Sequence, residues 1–223
     1  MQDDATRLRL SLDAKATVLI GDYSRGGKSR LVVKAMDHDF RPADKVTPYG
    51  ILLPDHDRLY LYFTRGRVTS DFIADCLHDC WRQIRSDFPQ IQTLVLHQDN
   101  GPENHSRRTQ FMQRLVQFVD TFQLTLRLAY YPPYHSKYNP IERVWGSLEQ
   151  HWNGALLDSL TAVLNFAQSM TCNQIHPEIN FMQQTYPTGV RLSPAAMRQL
   201  EQRLERLTGL EKYFVSIRPL RTT

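Results

Sequence analysis

The stretch "TLVLHQDNGP", residues 93–102, decides the fold because it combines a short apolar strand with an acidic turn. The apolar run is too short for a helix, and the turn-forming "NGP" ends it. Apolar side chains recur at helical spacing on both sides, over residues 70–84 and 105–122. A second strand, "LTLRLAYY", follows at 124–131. This strand–helix–strand succession predicts parallel pairing through a right-handed crossover.

The chain before this unit predicts further strands. "LRLSLD" (8–13) alternates leucine with polar residues, which indicates a half-buried strand that ends at Asp13. "GILL" (50–53) and "LYLYF" (59–63) flank the polar turn "PDHDR" and predict a hairpin. "TVLIGDY" and "RLVVKAM" also favour strands. Together these elements predict an α/β fold, a mixed sheet with helices on its faces.

Composition limits the class of protein. A chain of 223 residues with 41% hydrophobic content predicts one domain, or one domain with an appendage. No apolar run approaches the roughly 20 residues that span a bilayer, and the charged start carries no secretory signal. Cys76 and Cys80 lie one helical turn apart, a spacing that could supply two ligands of a metal site. Their apolar neighbours instead favour buried thiols. The sparse cysteines predict a reduced, cytoplasmic protein.

The net charge of +4 and the pI near 9.0 lean towards a polyanionic partner. Basic residues concentrate in "SRGGKSR" (24–30), in "SRR" (106–108) and near the end of the chain. Most basic clusters are merely solvated, so charge alone leaves nucleic-acid binding open. "GDYSRGGKS" is not a phosphate-binding loop. That motif requires a glycine five positions before the glycine of "GK", and the residue at that position is Asp22.

Three carboxylates are candidates for catalysis. Asp99 follows a strand of a helix-flanked sheet, where such folds bind ligands, although "DNG" is also good turn chemistry. In "NPIERVWG" (139–146), Asn139 and Glu142 have the spacing of a capping box. The positive end of the helix also favours a carboxylate that faces a metal. If Asp13, Asp99 and Glu142 converge at one end of the sheet, they form a site for hard divalent cations.

Other residues compete for these roles. The first carboxylate has rivals, and three histidines are available as bases or ligands, although histidines in loops or helix caps are commoner. The rival aspartates are Asp22, Asp37 and Asp39, and the histidines are His97, His105 and His135. The loop "YYPPYHSKYNP" (130–140) reads as a rigid spacer whose tyrosines also suit stacking against nucleic acid.

Three stretches resemble the DDE transposases of bacterial insertion sequences, in particular the ISAzo-type family, which is related to the mariner-like transposases. They are "HQDNGPENHSRRTQFM", "LAYYPPYHSKYNPIERVWGSLEQHWNG" and "SRGGKSR…DHDF". The resemblance covers nearly the whole chain. It implies an RNase H-like fold, the triad Asp13, Asp99 and Glu142, and two bound Mg²⁺ or Mn²⁺ ions. The implied activity is hydrolysis and strand transfer of DNA at element ends.

The sequence and the resemblance together lead to further expectations. Residues 1–170 are expected to form the catalytic core, and residues 171–223 a mostly helical extension packed on it. The helix-turn-helix region of the family is expected to be absent, since the first strand begins within ten residues of Met1. A homodimer acting on transposon ends and target DNA is expected, in the bacterial cytoplasm at the nucleoid. The expected DNA phosphate contacts are Arg25, Lys28, Arg107, Arg108 and Lys137.

Two alternatives remain open. The chain is an RNase H-like nuclease without strand transfer, or a remnant of a transposase that binds DNA without catalysis. All three carboxylates are intact in the sequence, which favours catalysis over the remnant.

Overall fold

The computed structural model describes residues 5–22, 44–132, 135 and 138–220. The strands are β1 (Arg7–Ala14), β2 (Val18–Ile20), β3 (Asp44–Leu53), β4 (Arg58–Thr64), β5 (Thr93–Gln98), β6 (Thr125–Tyr130), β7 (Pro177–Phe181), β8 (Leu204–Arg206) and β9 (Phe214–Ile217). The helices are α1 (Ser70–Ile84), α2 (Thr109–Phe122), α3 (Glu142–His151), α4 (Leu160–Ser169) and α5 (Pro194–Glu201).

These strands form one mixed sheet in the order β7-β4-β3-β1-β5-β6-β9-β8, with β2 paired to β3. β1, β5 and β6 run parallel, and α1 and α2 lie in the connections before and after β5. β3 and β4 form the predicted antiparallel hairpin beside β1. The predicted mixed α/β sheet with helices on its faces is confirmed.

The sheet separates two apolar cores. Successive side chains of a strand point to opposite faces, so Ile51 and Leu52 of β3 belong to different buried clusters. The first cluster joins Leu8, Leu10 and Leu12 of β1 to α1 and α2. The second joins α3 and α4 to β2, β3, β4 and β7. The side of β1 that carries Asp13 therefore faces α3.

Helix α1 begins where its apolar spacing predicts, whereas α2 begins later. The cap of α1 is Thr69, whose side-chain oxygen accepts a hydrogen bond from the Phe72 N–H at 3.3 Å, and Ser70 is already helical. Helix α2 begins at Thr109 rather than near residue 105, because the preceding loop is bonded through Glu103 to Ser70 and through the Ser106 carbonyl to Arg206. It ends at Gln123, which adopts a left-handed conformation with φ of 52°.

The expectation of a mostly helical segment after residue 170 is wrong for its described part, residues 171–220. That part contains three strands and one eight-residue helix. The helical pattern around "RQLEQRLERL" ends at Glu201, because Leu204 pairs with Ile217 in the sheet. Packing on the core is present, since Leu204, Val215 and Ile217 are all buried in the first cluster.

The described cysteines are free and buried, as the sequence predicts. In the part of the chain that the structure describes, no helix has the length and apolar content needed to cross a bilayer. The predicted strand at 30–36 and the competing Asp37 and Asp39 lie outside the described residues.

Candidate active site

Asp13 lies near the carboxyl end of β1, on the face opposite the leucines of that strand. It pairs with Gly50 of β3 across the antiparallel ladder. The indole Nε1 of Trp145 on α3 donates a hydrogen bond to Asp13 Oδ2 at 2.8 Å. One oxygen of the first candidate carboxylate is therefore held by the helix that begins with Glu142.

Asp99 follows β5, the parallel neighbour of β1. Ser11 lies beside His97 in that ladder, and the same register continued by two residues brings Asp99 level with Asp13. Neighbouring strands are about 4.8 Å apart, and both residues have the parity of the face that α3 covers. The sheet thus sets these two carboxylates side by side.

Asn104 fixes the orientation of Asp99. Its side-chain Nδ2 lies 3.1 Å from Asp99 Oδ1, 3.2 Å from the Asp99 carbonyl oxygen and 3.3 Å from Gln98 Oε1. A Cβ on Gly101 would lie 2.8 Å from Asn104 Oδ1 and 3.3 Å from Asp99 Oδ1, so a larger residue at position 101 would displace the Asn104 side chain. Neither Asn104 nor Ser106 caps α2, although both precede it closely, because the cap position is Arg108. "DNGPEN" (99–104) contains both Asp99 and Asn104, but the spacing of the two residues does not predict that Asn104 binds Asp99.

The loop that carries Asp99 is anchored from several directions. Glu103 Oε2 accepts from the Ser70 N–H at 3.3 Å and from the Arg108 guanidinium at 3.0 Å, which ties the loop to the start of α1. Tyr130 Oη donates to the Asn104 carbonyl at 2.7 Å. Arg206 of β8 donates to the Ser106 carbonyl at 2.9 Å. These contacts make the loop a preorganised support for Asp99.

Glu142 is the first residue of α3, and its position is set by a turn bonded to β1. Asn139 Nδ2 donates to the Leu12 carbonyl at 2.9 Å, and Asn139 Oδ1 accepts from the Ser11 hydroxyl. The Ile141 N–H donates to Ser11 Oγ at 3.0 Å. The capping-box interpretation is therefore wrong, because the Asn139 side chain binds the strand, and Ile141 occupies the cap position without a side-chain bond.

Close packing brings α3 against the sheet beside Asp13. A Cβ on Gly50 would lie 2.8 Å from Ile141 Cδ1 and 2.9 Å from the Trp145 ring. Because Gly50 is the ladder partner of Asp13, the missing side chain at position 50 admits the indole that binds Asp13.

Electrostatics link the three carboxylates. Burial raises the pKa of Asp13 from 3.8 to about 6, the Trp145 hydrogen bond opposes that rise, and repulsion from Asp99 and Glu142 adds to it. Repulsion of this kind requires negative charges nearby. The fold therefore brings the three predicted residues into one neighbourhood.

Carboxylate oxygens are the ligands that Mg²⁺ and Mn²⁺ prefer, so the chemistry of this set fits a hard divalent cation. Over residues 5–22, 44–132, 135 and 138–220, no three His, Cys, Asp or Glu side chains form a group that could hold one metal ion. The geometry thus shows neighbouring carboxylates rather than a closed metal cage.

The predicted phosphate contacts have different outcomes. Arg107 is exposed on the loop after Asp99. Arg108 has a side chain only 11% exposed and is paired with Glu103, which gives it a role inside the protein. Arg25, Lys28 and Lys137 lie outside the described residues.

Solved structures with this fold include two of Mos1 transposase. One is the paired-end complex with the left transposon end, at 13% identity and a TM-score of 0.53, covering 74% of this chain and 47% of that one. The other is the Mos1 mariner paired-end complex with Mn, at 14% identity and a TM-score of 0.54, covering 74% and 48%. The chain thus spans about half the length of the Mos1 chains, and the likeness confirms the RNase H-like fold.

Among curated proteins, none matches the chain significantly. A family model described as the Rhodopirellula transposase DDE domain matches residues 1–219, nearly the whole sequence. This match confirms the predicted resemblance to DDE transposases, and the chain belongs to the family of the Rhodopirellula transposase DDE domain.

Proposed function

We propose that the chain is the catalytic domain of a DNA transposase, in which Asp13, Asp99 and Glu142 hold two Mg²⁺ or Mn²⁺ ions at a scissile phosphate. The observation that supports the proposal is geometric: the β1–β5 register continues to Asp13 and Asp99, and the Trp145 hydrogen bond to Asp13 holds the helix that begins with Glu142 against β1. The three residues are far apart in the chain and belong to three different elements. The chain belongs to a transposase family, which supports DNA cleavage and joining as the reaction of these carboxylates.

When bound, two such ions activate the attacking oxygen and stabilise the leaving oxygen of a phosphodiester. The chain supplies the orientation of the carboxylates. Trp145 holds one oxygen of Asp13, and Asn104 holds one oxygen of Asp99. Groups held in this way lose little entropy on reaching the reactive geometry.

The proposed reaction has two steps at phosphorus. In the first, water adds to the phosphate, the bond to the 3′ oxygen breaks, and a 3′-hydroxyl and a 5′-phosphate are left. In the second, that 3′-hydroxyl attacks a phosphate of target DNA, and the target's own 3′ oxygen leaves. The solved relatives are paired-end complexes, which supports two copies of the chain acting together on two ends. Arg107, Arg25, Lys28 and Lys137 are the proposed phosphate contacts.

The test is a cleavage assay of the purified chain on a DNA duplex in the presence of Mn²⁺. We expect nicking by the unaltered chain and none by Asp99→Asn, because the amide removes a negative charge from the carboxylate set. Asp158→Asn, an exposed aspartate remote from the carboxylates in sequence, is the matched control and should retain activity. Undiminished nicking by Asp99→Asn would contradict the site assignment.

Two further measurements distinguish the alternatives. A pre-cleaved duplex with a free 3′-hydroxyl should give joined products; cleavage without joining would indicate a nuclease that lacks strand transfer. Calorimetry should detect Mn²⁺ binding to the unaltered chain, and the absence of both heat and cleavage would indicate a DNA-binding remnant.

A further inference from the structure

We infer that the uncovered half of the sheet next to the carboxylates is a docking surface for duplex DNA. We call this surface the open face and define it by Arg9, Val95, His97, Arg127, Tyr131 and Phe214. It lies on the same side of the sheet as Asp13 and Asp99. The inference rests on the proposed function, because the proposed reaction takes place at the carboxylates that adjoin the open face. The inference itself concerns DNA binding and not the reaction.

The strand register arranges the open face in rows. In one row Arg9 lies beside Val95, Val95 beside Arg127, and Arg127 beside Ser216. The next row contains Ser11, His97, Ala129 and Phe214. The same register continued leads to Asp13, Asp99 and Tyr131. Alternate residues are about 6.7 Å apart along a strand, so the arginine row lies about 13 Å from the carboxylates.

The helices leave this half of the sheet free. The buried cluster beneath α3 and α4 contains residues of β2, β3, β4 and β7, but within the described residues it contains none of β5, β6 or β9. Arg127 is exposed in the middle of three paired strands, and Phe214 is 42% exposed. A central strand normally buries both faces, so its solvent-facing side chains mark a surface that takes a partner.

The charged residues of the open face, and of its end away from the carboxylates, favour a polyanion as that partner. Two ion pairs on this side, Arg9 with Asp55 and Arg218 with Glu205 at 3.2 Å, contribute no net charge. Arg127 is exposed in the row of Arg9, and Arg7, also exposed, lies one row further from the carboxylates beside Thr93. The His97 ring lies 6.1 Å from the ring of Tyr131, which continues the row of the carboxylates. Arginines across a face bind phosphates, and neighbouring rings suit bases or sugars.

The position of α3 also favours this approach. Trp145 and the first turn of α3 stand along one side of Asp13, where they bury Ser11 and Gly50. The opposite side, towards β5 and β6, carries no helix among the described residues. A duplex that presents a phosphate to Asp13 and Asp99 from that side lies over the open face.

Arg127→Glu tests the inference in metal-free buffer with EDTA, where no cleavage occurs. Fluorescence anisotropy of a short labelled duplex should show affinity weakened roughly five-fold or more at low salt. The slope of log K against log salt should fall by about 0.9 for one lost phosphate contact. Arg82→Glu makes the same charge change on α1, which packs on the other side of the sheet, and should bind as the unaltered chain does. Arg127→Lys should retain most of the affinity.

Equal affinities of Arg127→Glu, Arg82→Glu and the unaltered chain would overturn the inference, as would the absence of duplex binding by the unaltered chain. A change in self-association of Arg127→Glu, seen by sedimentation with DNA binding intact, would assign the face to a second copy instead. The outcome is separate from the cleavage assay. If Arg127→Glu binds DNA weakly but the unaltered chain does not cleave DNA, the open face is supported and the proposed function is refuted. If the unaltered chain cleaves DNA but Arg127→Glu binds it normally, only the open face is refuted.

Discussion

At the scale of single residues, Asp13 shows how a carboxylate of the proposed site lowers the stability of the fold. Its carboxyl is partly buried, faces two other carboxylates, and has a pKa raised to about 6 by burial first and by repulsion second. In the folded protein the proton is therefore held more tightly than in the unfolded chain, where the pKa is 3.8. This contribution to stability is complete below pH 3.8 and is lost as the pH rises through 6.

Asp13→Asn should therefore stabilise the metal-free protein above pH 6. A shift of about two pKa units corresponds to about 3 kcal/mol, and we expect a gain of that order in the free energy of unfolding at pH 8. The gain should shrink towards zero near pH 4, where the Asp13 carboxyl is itself neutral. Urea denaturation in EDTA at both pH values measures the difference.

Asp55 provides a control of opposite sign. Its pKa is lowered, chiefly by the hydrogen bond from Arg9, so Asp55→Asn should lose stability at pH 8 and not in acid. A loss of stability in Asp13→Asn at pH 8 would show that the Trp145 hydrogen bond outweighs burial and repulsion.

The sequence identifies acidic residues more readily than the polar residues that orient them. Asp13, Asp99 and Glu142 follow from their places at the ends of elements. Asn139 and Asn104 look like helix caps by spacing, but they bind Leu12 and Asp99 instead. Their partners depend on tertiary packing, which local spacing does not encode.

At the scale of elements, helix α3 depends on Gly50 for its close approach to the sheet. Gly50→Ala places a methyl group within 3 Å of Ile141 and Trp145, both buried, so α3 has to shift. We expect a loss of 1–3 kcal/mol in the free energy of unfolding, typical of overpacking. We also expect Mn²⁺-dependent nicking to fall by more than the folded fraction does, because Trp145 and Glu142 move with the helix.

Gly146→Ala is the matched control. Gly146 lies inside the same helix, a Cβ there meets nothing within 4 Å, and alanine favours helix by about 1 kcal/mol. That variant should be as stable as the unaltered chain or more so, with full activity. Equal effects of the two substitutions on thermal unfolding would contradict the role of Gly50.

Strand β3 shows why element bounds escape the sequence. "GILL" predicts a strand from residue 50, but β3 begins at Asp44 and contains Pro48. Proline has no N–H for a ladder, which argues against a central strand. Pro48 lies where the neighbour of β3 changes from β1 to β2, and its carbonyl accepts from the Lys15 N–H at 2.9 Å. The gap between the two neighbours tolerates the missing donor.

At the scale of the whole molecule, the chain after residue 170 supplies both margins of the sheet. β7 pairs with β4 at one margin, and β9 and β8 extend β6 at the other. Arg203 also forms a two-point ion pair with Asp120 of α2. This segment is therefore part of the core's hydrogen-bonded sheet.

The same substitution at two neighbouring positions tests that integration. Val215 is buried against the first cluster, and Ser216 points to the other side of the sheet. Val215→Asn should cost about 2–4 kcal/mol in the free energy of unfolding of the whole domain, because it buries an amide and removes apolar contacts. Ser216→Asn should stay within about 0.5 kcal/mol.

Chemical denaturation followed by tryptophan fluorescence reports on the core in both variants. A separate early transition in Val215→Asn, with the core unaffected, would show an independent appendage. The sequence predicts the central strand–helix–strand unit but not these margins, because short strands such as β8 lack periodicity and depend on a partner strand.

The helix beside Asp13 has a further consequence for any polymer that reaches the site. Helix α3 lies on one side of Asp13, and the side towards β5 and β6 carries no helix among the described residues. If a DNA strand is cut at this point, as proposed, its two ends would therefore contact unequal surfaces of the protein. That inequality would distinguish the 5′ from the 3′ direction of the strand without any contact to a base.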